Sequence, residues 1–153
     1  MSMDRSLLVL AESLNVEAKE AAPRRRAVST AYYAVFHRLA RLRADEFIGS
    51  GAAQPRGPEY EKVYRALEHG GAKAKFLNVP RVIDAIRQIG NRFVLLQSKR
   101  RDADYRSSDF AFVEAESFNL IDAARQAIDL IDQLSPQERR ALAVRLVIRD
   151  RVS

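Results

Sequence analysis

Two stretches carry residues whose types and spacing could do chemistry. The first is "STAYYAVFH", residues 29–37. On a helix Ser29, Tyr33 and His37 fall at four-residue steps and form one stripe. Arg26 and Arg41 extend it at either end, and Tyr32, Phe36 and Leu39 form a more apolar stripe beside it. Such a face could present hydroxyls and an imidazole to a ligand. It could equally bury both rings and satisfy them by hydrogen bonds to a neighbouring helix. The second stretch is "QSKRRDADY", residues 97–105. A helix would place Gln97, Arg101, Asp104 and Tyr105 on one face, and Arg100 would reach Asp104 at i,i+4. An arginine oriented by an aspartate offers a planar fork of donors suited to an oxyanion or a phosphate. The same pattern also makes an ordinary surface ion pair near a helix C-terminus, where positive charge is favoured.

Other chemistries are absent from the sequence. No glycine-rich phosphate loop, dinucleotide fingerprint or HExxH pattern occurs. The chain has no cysteine and only two histidines, so no metal and no cofactor are expected. No nucleophile elbow supports a serine triad. No apolar run reaches the length of a membrane span, and the N-terminal residues do not read as a signal peptide, so a cytoplasmic protein is expected. The net charge of +6 favours anionic partners such as nucleic acid without naming a site.

Helices must position both stretches. The 153 residues suit one domain, and a hydrophobic fraction of 47% can fill its core. Leu7, Leu10, Leu14 and Ala18 form an apolar stripe over residues 4–20. A second helix is expected from about Pro23 to about Phe47, and "GSGAAQPRGP", residues 49–58, reads as a loop. "EYEKVYRALEH" predicts a short third helix ended by Gly70 and Gly71, with a connector over 72–78. Asn78 and Pro80 look like the opening of a fourth helix that reaches 99–105, with Ile83, Ile86, Ile89, Phe93 and Leu96 at core spacing. A fifth is expected over about 109–134, with Phe110, Val113, Ser117, Leu120, Ala124, Ala127, Ile131 and Leu134 repeating at core spacing. "SPQE" then supplies a capping box, Ser135 with Glu138, for a sixth over about 136–149. No strand pattern of useful length is present. The expected fold is therefore all-α, an antiparallel up-and-down bundle of four to five core helices plus a C-terminal helix. The bundle spans residues 1–134. Residues 135–153 form an added basic amphipathic helix of the same domain, packed outside it or between subunits. "PRRR", residues 23–26, reads as a solvated face.

Taken together, "RRAVSTAYYAVFHRLARL", "RRDADY" and "EAESFNLIDAARQAIDLI", in this order and spacing, resemble the HEPN (higher eukaryotes and prokaryotes nucleotide-binding) superfamily, and its small stand-alone bacterial members in particular. The resemblance covers roughly residues 5–134. It implies a helical bundle, a homodimer with the motif helices near the two-fold axis, and roles in RNA cleavage, toxin–antitoxin pairs, phage defence or nucleotide-related regulation. It also implies a possible partner protein of the nucleotidyltransferase type. Catalytic members are metal-independent ribonucleases with an arginine followed after four to six residues by a histidine. In them a ribose 2′-hydroxyl attacks phosphate, the histidine moves protons and the arginine stabilises the developing charge. In this chain Tyr105 stands where that histidine would be, with four residues between it and Arg100. The resemblance thus implies His37, Arg101 and Tyr105 as candidate catalytic residues. Arg100, Arg101, Asp104, Tyr105, Ser29 and Tyr33 are the candidate phosphate-binding set. The departure at Tyr105 favours a dimeric module that binds nucleotide, RNA or a partner protein over a ribonuclease.

Overall fold

The computed structural model describes residues 2–16, 20–49, 57–77 and 83–147. Among them are seven helices and no strand: α1 Met3–Val16, α2 Ala21–Ile48, α3 Pro58–Arg65, α4 His69–Leu77, α5 Asp84–Tyr105, α6 Glu114–Asp132 and α7 Pro136–Val147. The all-helical expectation holds.

The four longest helices form the bundle, and their cross-contacts fix its directions. The end of α2 meets the start of α1 through Arg41 and Asp4, 3.1 Å apart. The start of α2 meets the end of α5 through Arg25 and the Ala103 carbonyl, 2.7 Å apart. Arg92 on α5 reaches Gln126 on α6, and Lys99 reaches Glu116, so these two also run antiparallel. The sequence α1, α2, α5, α6 is therefore up-and-down.

Helix α2 is the hub. It packs on α1, α3, α5, α6 and α7. Residues Ala27 through Tyr32 are all buried, so this helix has no solvent face over nearly two turns. Alanines at 27, 31 and 34 allow neighbouring helices to come close on several sides. Its opening arginines are not a solvated face. Arg25 donates to the carbonyls of Ala103, Arg106 and Ser107 at 2.7, 2.7 and 2.9 Å, which satisfies the C-terminal end of α5. Arg24 donates to the Phe112 carbonyl at 3.0 Å. Of the three, Arg26 is exposed.

Three elements differ from the pattern in the sequence. The third helix ends at Arg65, and Gly70 and Gly71 begin α4 instead of ending α3. Glycine is a poor helix former, but α4 buries Ala72 and Phe76 against the bundle, and packing outweighs propensity. A methyl group added at Gly90 on α5 would lie 2.6 Å from Phe76 Cδ1, so that glycine is what lets α4 dock. The helix expected from 109 starts at Glu114, because Phe112 is buried from an extended segment ahead of it. In α1 the inward residues are Leu8 and Ala11, while Leu10 is half exposed. Ala18, Asn78, Pro80 and most of the 49–58 loop lie outside the described residues.

Helix α7 packs on α2 and α4 of its own chain and buries Leu142, Ala143 and Leu146. Its capping box forms as the sequence predicts: Glu138 N–H donates to Ser135 Oγ at 3.2 Å, and Ser135 N–H to Glu138 Oε1 at 2.9 Å. No described helix is long and apolar enough to cross a membrane.

Candidate functional site

The two flagged stretches meet where α2 crosses α5. Tyr32 is fully buried in that seam, with its ring 5.6 Å from the Phe93 ring. The Arg100 guanidinium lies 5.1 Å from the Tyr32 ring centre and 6.0 Å from that of Tyr33. A cation over two aromatic faces is attracted by both. Arg100 also pairs with Asp104 at 3.6 Å, yet its Nε is buried without a hydrogen-bond partner. Gln97, one turn earlier, donates to the His69 carbonyl at 2.9 Å and so ties α5 to the first residue of α4.

The phase of α5 decides which polar groups enter this seam. Phe93, Leu96, Gln97, Arg100 and Ala103 face inward. Arg101 and Tyr105 therefore point outward, and Tyr105 is 77% exposed. Gln97, Arg101, Asp104 and Tyr105 lie along one side of the helix as expected, but of the four only Gln97 is buried. The arginine that enters the seam beside Gln97 is Arg100, at i+3, because the large apolar residues at 93 and 96 set the rotation of the helix.

The histidines also divide differently from the pattern in the sequence. His37 pairs through Nδ1 with the Tyr64 hydroxyl of α3, and no hydrogen bond or ring contact joins it to Arg101 among the described residues. The imidazole in the α2–α5 cluster belongs to His69. Its Nδ1 lies 2.5 Å from the Tyr32 hydroxyl, and its ring stacks on Phe36 at 4.0 Å. Burial lowers the pKa of His69 below its ordinary value, and the charges of Arg100 and His37 add to this. Burial likewise lowers that of His37, against the opposing pull of Asp4. Both rings are thus biased to the neutral form, in which a nitrogen can accept from a tyrosine hydroxyl. Burial raises the pKa of Tyr32, with Arg100 pulling the other way, so its hydroxyl keeps its proton. His69 carries no motif in the sequence. Its place depends on α4, which the two glycines beside it disguise.

Beside the cluster lies an open cleft of about 730 Å³, lined by Arg25, Arg26, Ser29, Tyr33, Asp104 and Ser108 among others. Three residues of the candidate binding set, Ser29, Tyr33 and Asp104, come together here. Arg100 adjoins the cleft through both Tyr33 and Asp104. No family model, curated protein or solved structure matches this chain. The chemistry must therefore be read from the cleft itself. Its lining offers hydroxyls from Ser29, Tyr33 and Ser108 and an exposed guanidinium from Arg26, set against the carboxylates of Glu20 and Asp104, with no histidine among the lining residues. Such a set can hold an anion and orient it by hydrogen bonds. Among the described residues no cluster of three or more histidines and carboxylates could hold a metal ion.

Proposed function

We propose that this chain is a non-catalytic HEPN-like module, working as a cytoplasmic homodimer, that binds the phosphate of a nucleotide or RNA in the cleft between the start of α2 and the end of α5. The observation that carries the reading is the meeting of Ser29, Tyr33 and Asp104, from both flagged stretches, in one open cleft with Arg26. Arg26 is exposed there, whereas Arg25 is committed to three backbone carbonyls. An exposed guanidinium can meet a phosphate without first breaking a fold-stabilising contact. The absence of histidine from the lining supports binding over cleavage, since proton transfer needs a group within hydrogen-bond reach.

Equilibrium binding of a labelled oligoribonucleotide and of ATP tests the proposal. Both are expected to bind with an affinity that falls as salt rises. Loss of one charged contact in Arg26→Ala should weaken binding about tenfold, roughly 1.4 kcal/mol. Recovered RNA should be intact. Absence of saturable binding of either ligand would count against the whole reading.

A metal-independent ribonuclease is the second reading, favoured by one observation: His69 and Arg100 flank the same tyrosine ring. It predicts cleavage in the presence of a chelator, lost in His69→Ala and Arg100→Ala and retained in His37→Ala.

A further inference from the structure

Helices α3 and α4 are separated by only Ala66, Leu67 and Glu68. Both ends of this connection are tied to α2 by a tyrosine–histidine pair. At the end of α3, Tyr64 meets His37 of α2. At the start of α4, His69 meets Tyr32 of α2. The histidine thus belongs to α2 in one pair and to α4 in the other. The outer ends have different fastenings. Tyr60 donates to Asp45 at 2.7 Å, and Phe76 sits over Gly90 and 5.5 Å from the Phe93 ring. Between them, buried Leu67 and the stack of His69 on Phe36 are the apolar contacts of the turn.

With a neutral imidazole each tyrosine hydroxyl can donate to Nδ1; an imidazolium carries a proton on both nitrogens and accepts nothing, so a pair could persist only with Nδ1–H donating to the tyrosine oxygen. Protonation of His69 would leave the hydroxyl proton of fully buried Tyr32 without its acceptor. The charges around the pairs point the same way. His69 faces Arg100 from α5 and Tyr32, Tyr33 and His37 from α2. It also opens α4, at the positive end of that helix. Arg101 acts on the Tyr32 hydroxyl from α5. His37 faces Tyr64 from α3, His69 from α4 and Asp4 from α1. Asp4 alone favours a charged His37, and it is already paired with Arg41 at 3.1 Å.

We propose that the α3–α4 turn is a proton-operated clasp: acidification releases residues 64–72 from α2 while the four-helix bundle stays folded. The lowered pKa values set the direction. Both imidazoles take up protons more readily when released than when clasped. The clasp is complete above the ordinary histidine value of 6.5 and is lost as pH falls through the lowered values. The device does not depend on what fills the cleft.

Amide hydrogen exchange of the full chain, read by mass spectrometry and corrected for the intrinsic rate, tests it between about pH 7.5 and about pH 5. Protection across residues 64–72 should fall by up to about tenfold per pH unit for each histidine that must be neutral. Protection across 120–131 of α6 should hold. The double variant His37→Gln, His69→Gln should abolish the pH dependence at 64–72. Protection at 64–72 that ignores pH, a loss shared equally by α6, or a folded double variant that keeps the dependence would each overturn the clasp. The comparison of the two segments in the unmodified chain decides the matter if that variant fails to fold.

Discussion

The α1–α6 seam and the α2–α5 seam both use arginine, but at different depths. Along α1–α6, Arg5 bridges Asp129 and Asp132 at 2.8 and 2.6 Å, and Arg125 joins Glu12 to Asp122. These side chains are 35% to 47% exposed. Solvent and salt screen such pairs, and their loss leaves hydrated charges behind. Along α2–α5, Arg100 is 8% exposed, covered by two tyrosine rings, with an Nε that lacks a partner. A buried guanidinium costs desolvation that its contacts only partly offset. One seam latches helices together. The other holds a charged group against two tyrosine rings, beside a cleft.

Three substitutions would break or sharpen this contrast. Tyr32→Ala should have the largest effect, because it removes a buried ring and the partner of His69 together. A loss of about 3–5 kcal/mol is expected from urea unfolding midpoints. Gly90→Ala acts on the same interior through α4, where the new methyl would collide with Phe76. It should cost about 1–3 kcal/mol, and Phe76→Ala in the same chain should cost less than the sum of the two single changes. Arg125→Ala in the α1–α6 seam should cost under about 1 kcal/mol, with the difference shrinking as salt is added. An Arg125→Ala loss as large as that of Tyr32→Ala would erase the distinction between the seams.

The sequence was legible where structure follows from near neighbours. The Ser135–Glu138 box is complete within one turn and forms as read. Ser117, Leu120, Ala124, Ala127 and Ile131 of α6 are buried as their spacing predicts, whereas Val113 of the same repeat precedes the helix and is exposed. A cap or a periodic stripe carries its own information, and the remainder of the chain need only accommodate it. Helix α4 was illegible for the opposite reason. Gly70 and Gly71 speak against a helix, and only the hole at Gly90, some twenty residues away, provides a seat for Phe76.

The candidate site divides along the same line. Its inventory was in the sequence: the paired tyrosines, the paired arginines and the aspartate that reaches back to one of them. Which arginine enters was not, because Arg100 and Arg101 differ by one position and so by about 100° around the helix. Phe93 and Leu96 settle that rotation by burying in the core, and they turn Arg100 inward and Arg101 to solvent. Tertiary packing likewise chose His69 over His37 as the imidazole beside Tyr32, since that choice rests on α4 docking. Local chemistry selects which groups a helix carries. The direction they point is set by burial of its largest apolar side chains, and the free energy of that burial exceeds any local preference.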